Sequence, residues 1–210
     1  QLFKKADQEI KKINFKKAIN YYETIIKIDP SNYIAYLFLG LTYQKMGNFD
    51  EAKSNYEMAI KFKIDFADAY YNLGNILYLS KKFDSAKENY FKAIKFKPEF
   101  VDAYFNLACT LKDLGELEDA EINFKKVLSI QPNYHIQDSL KLVNKLKKLS
   151  SNIKKNKINI NDKNDDNLSK KLITKISNNP IIINRSVEKS LINYLYETKS
   201  KKFSEAILNI

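Results

Sequence analysis

Histidine and cysteine, on which metal sites and much acid–base and nucleophilic chemistry draw, are scarce in this chain of 210 residues. Histidine occurs once, as His135, so a two-histidine metal site cannot be assembled within the chain. His135 reads as a solvated or packing residue. The single cysteine, Cys109, rules out an internal disulfide and has no neighbouring histidine to draw off its proton, so no nucleophilic role is expected of it. The adjacent acids Glu118 and Asp119 fit the start of a helix, where carboxylates complement unsatisfied backbone N–H groups, better than a catalytic pair. Neither a glycine-rich phosphate loop nor a nucleophile elbow is present. We therefore expect no catalytic residue, no metal ligand and no cofactor, and read the chain as a non-enzyme.

What remains is recognition chemistry, and its partner is constrained by where the charge lies. The formal net charge is +11, but residues 1–134 hold 20 Lys and Arg against 18 Asp and Glu, while residues 135–210 hold 16 against 7. The basic excess belongs to the C-terminal part, where Lys141 to Lys157 is rich in lysine. Arginine is limited there to Arg185, and no interleaving of aromatic and basic residues marks a stacking platform, so nucleic acid is not the expected partner. No apolar run long enough to cross a bilayer and no signal-peptide pattern occurs, so no membrane partner and a cytoplasmic location are expected. Nothing in the composition sets an oligomeric state.

Side chains for recognition need elements to hold them. Four Gly and four Pro are few for this length, which favours long helices over a turn-rich β architecture. Self-comparison then exposes one fixed spacing, the step from Ala18 to Ala52, that recurs along the chain. It joins Ala18, Ala52, Ala86 and Ala120; Tyr36, Tyr70 and Tyr104; Leu39, Leu73 and Leu107; Gly40, Gly74 and Ala108; Phe15, Phe49, Phe83 and Leu117; and Tyr22, Tyr56, Tyr90 and Phe124. Pro30, Pro98 and Pro132 close three of the units, with Ile64 in the remaining place. Within one unit, Tyr70, Leu73 and Leu77 form the apolar face of a first helix, and Phe83, Ala86, Tyr90, Ala93 and Ile94 that of a second. The breaks between them, around Gly47, Lys81 and Gly115, are too short for anything but an antiparallel hairpin. Glycine ends a helix with positive φ at no steric cost, so Lys81 is the awkward residue of the three. The small residues on the two helices are expected to let the backbones approach.

Tyr36, Leu39-Gly40, Tyr43, Ala52 and Tyr56 follow the pattern of aromatic, Leu-Gly, Tyr, Ala and aromatic. On these residues the chain resembles the tetratricopeptide repeat family over residues 1–134, with repeats similar to those of O-linked N-acetylglucosamine transferase arrays. Tyr replaces the usual Trp, and the first unit departs further, since Leu2, Lys5 and Ala6 stand where aromatic, Leu and Gly are expected. The resemblance implies an all-α fold, a right-handed superhelix or α-solenoid of about four helical hairpins with units 1–32, 33–66, 67–100 and 101–134. Ile136, Leu140, Val143, Leu146 and Leu149 repeat at three and four residues, which predicts a capping helix over 135–149 with Gln137, Lys141, Lys145 and Lys148 facing out. Residues 150–167 are polar and low in complexity and read as a flexible linker. Residues 168–210 read as a short, mostly helical segment that opens a truncated further domain or repeat.

In tetratricopeptide arrays the concave groove is lined mainly by first helices. The side chains left over from hairpin packing there are Leu37, Phe38, Leu41, Tyr71, Asn72, Asn75, Tyr78, Phe105 and Asn106. Asn72 and Asn106, one period apart, resemble the asparagine ladder that holds the backbone of an extended peptide in the transferase arrays, with Phe38 interrupting it. The Lys, Arg and Asn clamp of chaperone-binding repeats is not met. The expected function is thus a non-catalytic scaffold that binds a peptide or protein partner. The alternative is the substrate-recruiting arm of a larger enzyme, of glycosyltransferase, sulfotransferase or iron-dependent oxygenase type, with its catalytic domain beyond residue 210.

Overall fold

The computed structural model describes residues 1–159, and all the regular structure among them is helical. In chain order the helices are α1 (Leu2–Lys11), α2 (Phe15–Ile28), α3 (Tyr33–Lys45), α4 (Phe49–Phe62), α5 (Ala67–Leu79), α6 (Phe83–Phe96), α7 (Val101–Leu114), α8 (Leu117–Ile130) and α9 (Gln137–Asn159). The helices α1, α3, α5 and α7 are first helices, and α2, α4, α6 and α8 second helices, in the units read from the sequence. The described residues divide into two compact units, with the boundary between Leu107 and Ala108.

Every hairpin corner is built alike. Ile13, Gly47, Lys81 and Gly115 all have positive φ, and each stands one period from the next. One residue later, the N–H of Asn14, Asn48, Lys82 and Glu116 donates to the carbonyl of Glu9, Tyr43, Leu77 and Leu111, at 2.8–2.9 Å. This i to i−5 bond satisfies an orphan carbonyl of the ending helix and turns the chain back. Glycine makes the left-handed residue free of strain at two corners, whereas Ile13 and Lys81 adopt it against their Cβ atoms. Asn14 and Asn32 then cap α2 and α3, accepting from the N–H of Lys17 and Ala35.

In the first unit the predicted apolar faces are the core. Tyr70, Leu73, Leu77, Ala86, Tyr90 and Ala93 are buried, while Phe83 and Ile94 are half-buried. Ala18, Ala52 and Ala86 are fully buried. The small residues of the first helices mainly make room for a ring. A Cβ added at Gly40 would lie 2.6 Å from the Tyr56 ring and 3.2 Å from the Ala52 carbonyl, and one added at Gly74 would lie 2.7 Å from the Tyr90 ring. The expected approach of two backbones is thus, in the main, the seating of a second-helix tyrosine across a first-helix glycine. Tyr36 stacks on Phe62 at 5.6 Å and Tyr70 on Phe96 at 5.7 Å, one period apart.

In the second unit Leu117, Ala120, Phe124 and Val127 of α8 are buried, as are Ile136, Val143 and Leu146 in and just before α9. Lys147 of α9 ties the two helices, with its Nζ 2.7 Å from a Glu121 oxygen; Lys125 lies 2.6 Å from the other. Gln137, Lys141, Lys145 and Lys148 are exposed, as a polar outer face requires. The linker prediction needs correcting at its start, because α9 continues past Leu149 to Asn159. Residues 150–159 keep the helical spacing of Leu146, Leu149 and Ile153 and contain no Gly or Pro to end it, which outweighs their polar composition. The rest of the predicted linker, and the segment 168–210, lie outside the described residues.

Candidate functional site

Two clusters on the first-helix side of the first unit contain most of the predicted groove residues. The N-terminal one is a pocket of about 520 Å³ lined by α1, α2 and α3. Phe38 and Leu41 open onto it, together with Phe3, Asp7 and Ile10 of α1 and Tyr22 of α2. Phe38 stacks on Tyr22 with centroids 5.9 Å apart, and Phe3 meets both rings at 6.0–6.1 Å. These aromatic contacts hold the rings in place, yet Phe38 remains 40% exposed. Burial, followed by the nearby Asp7 carboxylate, pushes the Tyr22 phenol up from its ordinary value, so it stays protonated at neutral pH.

The second cluster joins α5, α6 and α7. Asn75 Oδ1 accepts from Tyr90 Oη at 2.8 Å and from Asn106 Nδ2 at 2.8 Å, and Asn106 Nδ2 lies 3.3 Å from Tyr71 Oη. Tyr71 also packs its ring on Tyr90 at 6.1 Å and on Phe100 at 4.8 Å. Burial raises the Tyr71 phenol, opposed by its hydrogen bonds to Asn75 and Asn106. Both lone pairs of one amide oxygen are used, which pins three helices at a half-buried polar point.

Other predicted groove residues are placed differently. Leu37 is only 8% exposed, a correction to its place on the open face, so it has little surface for a ligand. Tyr78 is half-buried with its ring edge-on to Phe83 at 5.4 Å, and so takes part in the hairpin packing from which it was excluded. Asn72 donates to its own helix at the Asp68 carbonyl, 2.7 Å away, while Asn106 turns to Asn75. The two asparagines of the predicted ladder therefore make different bonds. Phe105 is half-buried. Sequence reasoning missed Phe3, Lys4 and Asp7, which stand one period before Leu37, Phe38 and Leu41, because the repeat of residues 1–32 lacks the Leu-Gly signature. It also missed Tyr22 and Tyr90, second-helix residues that reach through to the first-helix side.

Cys109 and His135, which the sequence sets aside as non-catalytic, are both among the described residues. Burial pushes the Cys109 thiol up to about 11, so it carries no appreciable thiolate at neutral pH. His135 is exposed in the turn between α8 and α9. Among the described residues no group of three or more His, Cys, Asp or Glu could hold a metal ion, and no helix is long and apolar enough to cross a membrane.

This helical-repeat arrangement is shared with solved structures. A structure of MamA is 28% identical, with a TM-score of 0.64 over 69% of this chain and 85% of that one. The first TPR of Spaghetti, bound to the HSP90 peptide SRMEEVD, is 22% identical, with a TM-score of 0.54 over 56% of this chain and 94% of that one. The O-GlcNAc transferase of Thermobaculum terrenum is 22% identical, with a TM-score of 0.55 over 61% of this chain and 25% of the transferase. No curated protein sequence matches the chain. Residues 67–100 and 101–134 match the family described as tetratricopeptide repeat, residues 10–62 match a second family of that description, and residues 45–81 match one described as TPR repeat. The fold is an all-α repeat solenoid, and the chain belongs to the tetratricopeptide repeat family.

Proposed function

We propose that the chain is a non-catalytic scaffold that binds a peptide or protein partner along its first helices. The observation that carries this reading is that Phe38 and Leu41 open onto a pocket of about 520 Å³ on the first-helix side, a size suited to side chains of a partner. Half-buried Tyr71 and Asn72 add rings and amides of the kind that hold an extended backbone. The Spaghetti structure is that of a similar fold with a peptide bound. A cytoplasmic location suits the unpaired thiol of Cys109. The test is capture of partners by the wild type and by the double variant Tyr71→Ala with Asn72→Ala. Loss of capture in the variant is expected; equal capture by both removes this stretch of first helices from the account.

A second reading, the recruiting arm of a larger enzyme, is favoured by the likeness to a transferase of which this chain spans about a quarter. Reading the gene beyond Ile210 tests it, and a stop codon there ends it.

A further inference from the structure

We propose that the pocket between α1 and α3 takes a large apolar side chain of an extended partner peptide whose flanking residues are acidic. The inference rests on the peptide-binding reading above and names the chemistry of the ligand. The pocket's wall is apolar. Phe3, Tyr22 and Phe38 form one side as a trio of rings, and Ile10, Ile34 and Leu41 complete it. Ile34 and Phe38 are 37% and 40% exposed, so an apolar lip is left in water that a leucine, methionine or phenylalanine would cover.

The rim sets the sign of the neighbours. Asp7 is already engaged, its carboxylate 2.9 Å from Lys11 Nζ. Lys4 and Lys45, which stand on the two facing helices, are exposed and have no carboxylate partner among the described residues. Two unneutralised ammonium groups beside an apolar cavity favour carboxylates on either side of the inserted residue and disfavour lysines there. The site two periods on shows what the same repeat makes with other lining side chains. Asn106 stands where Phe38 does and Asn75 where Asp7 does, and there the amides bond to one another and to Tyr90.

The test is fluorescence anisotropy of the full chain with three labelled nine-residue peptides: a central Leu with Glu on both sides, a central Ser with Glu, and a central Leu with Lys. The Glu-flanked Leu peptide is expected to bind about tenfold or more tightly than either of the others, and to weaken as salt is raised. Phe38→Asn, the residue the repeat itself carries at positions 72 and 106, should abolish the preference for Leu over Ser. Lys4→Glu with Lys45→Glu should abolish the preference for Glu over Lys; both lysines are exposed, so folding is spared. No binding of the Glu-flanked Leu peptide, or binding unchanged in both variants, overturns the proposal. If that binding is lost only in Tyr71→Ala with Asn72→Ala, the pocket falls while the wider peptide-binding reading stands. Self-association of the chain that Phe38→Asn relieves would assign the pocket to a second copy and likewise overturn the proposal.

Discussion

Two sites in the first unit are the same construction in different chemistry. Phe3 and Tyr22 meet at 6.1 Å and 54°, and Tyr71 and Tyr90, two periods on, meet at 6.1 Å and 51°. Around the first pair stand Asp7 and Phe38; around the second, in the same registers, stand Asn75 and Asn106. The backbone therefore holds a ring pair at the same geometry while the side chains around it change, Asp7 to Asn75 and Phe38 to Asn106 among them. An aromatic residue and a charged residue leave an open apolar pocket, because the carboxylate turns to Lys11 and the ring cannot bond to it. Two amides reach each other and Tyr90, and lock three helices together. A repeat protein can thus place an opening and a clasp on one face without altering its helices.

The largest expected effects test whether the ring pair depends on small neighbours. Gly74→Ala puts a Cβ 2.7 Å from the Tyr90 ring and drives it off Asn75, and Ala86→Leu overfills a fully buried spot on α6. Each should cost about 3 kcal/mol, the upper end for overpacking, read as a lowered midpoint in urea. A midpoint that does not move in either variant breaks the packing scheme. Next comes the polar clasp. Asn75→Leu removes the oxygen that accepts from the Tyr90 hydroxyl and the Asn106 amide and should cost about 1–3 kcal/mol. Tyr22→Phe, at the open site, removes a hydroxyl with no hydrogen-bond partner among the described residues and should change stability by less than about 0.5 kcal/mol. Equal losses in the two variants would erase the distinction between the sites.

The corners beside the two sites give a smaller effect of opposite sign. Ile13 and Lys81 have φ of 59° and 58° where Gly47 and Gly115 have 81° and 85°. Replacing either with Gly should stabilise by about 1 kcal/mol, less whatever entropy the unfolded chain gains, and Ile13→Gly should gain more because its side chain is β-branched. Thermal melts of both variants check the order. The smallest effect lies in the second unit. Hydrogen bonds from Lys125 and then Lys147 hold the Glu121 carboxyl down to about 2. A depressed carboxyl stabilises the fold above its ordinary value near 4.5, and that contribution fades as pH falls from there toward about 2. The gap in melting temperature between wild type and Glu121→Gln should therefore be present at neutral pH and close in acid.

Much of this was legible without coordinates. The recurrent spacing and the residues of each apolar face located every hairpin through α8, and Gly47 and Gly115 located two corners. Lys81 was legible only as an awkward residue, and Ile13 not at all, since neither side chain announces positive φ. The site was legible in part. Position within a first helix picks out Phe38, Leu41, Tyr71, Asn75 and Asn106 as candidates, but not that Leu37 turns inward, nor that Tyr78 leans on Phe83.

The sequence by itself determined the helices, their pairing and the register in which side chains recur, because local periodicity and corner chemistry act over a few residues and repeat unchanged. Only the tertiary structure decided which recurring positions form an opening and which a clasp. That outcome depends on groups 15 and 31 residues apart, such as Tyr90, Asn75 and Asn106, whose hydrogen bonds exist only once separate helices have stacked at bonding distance.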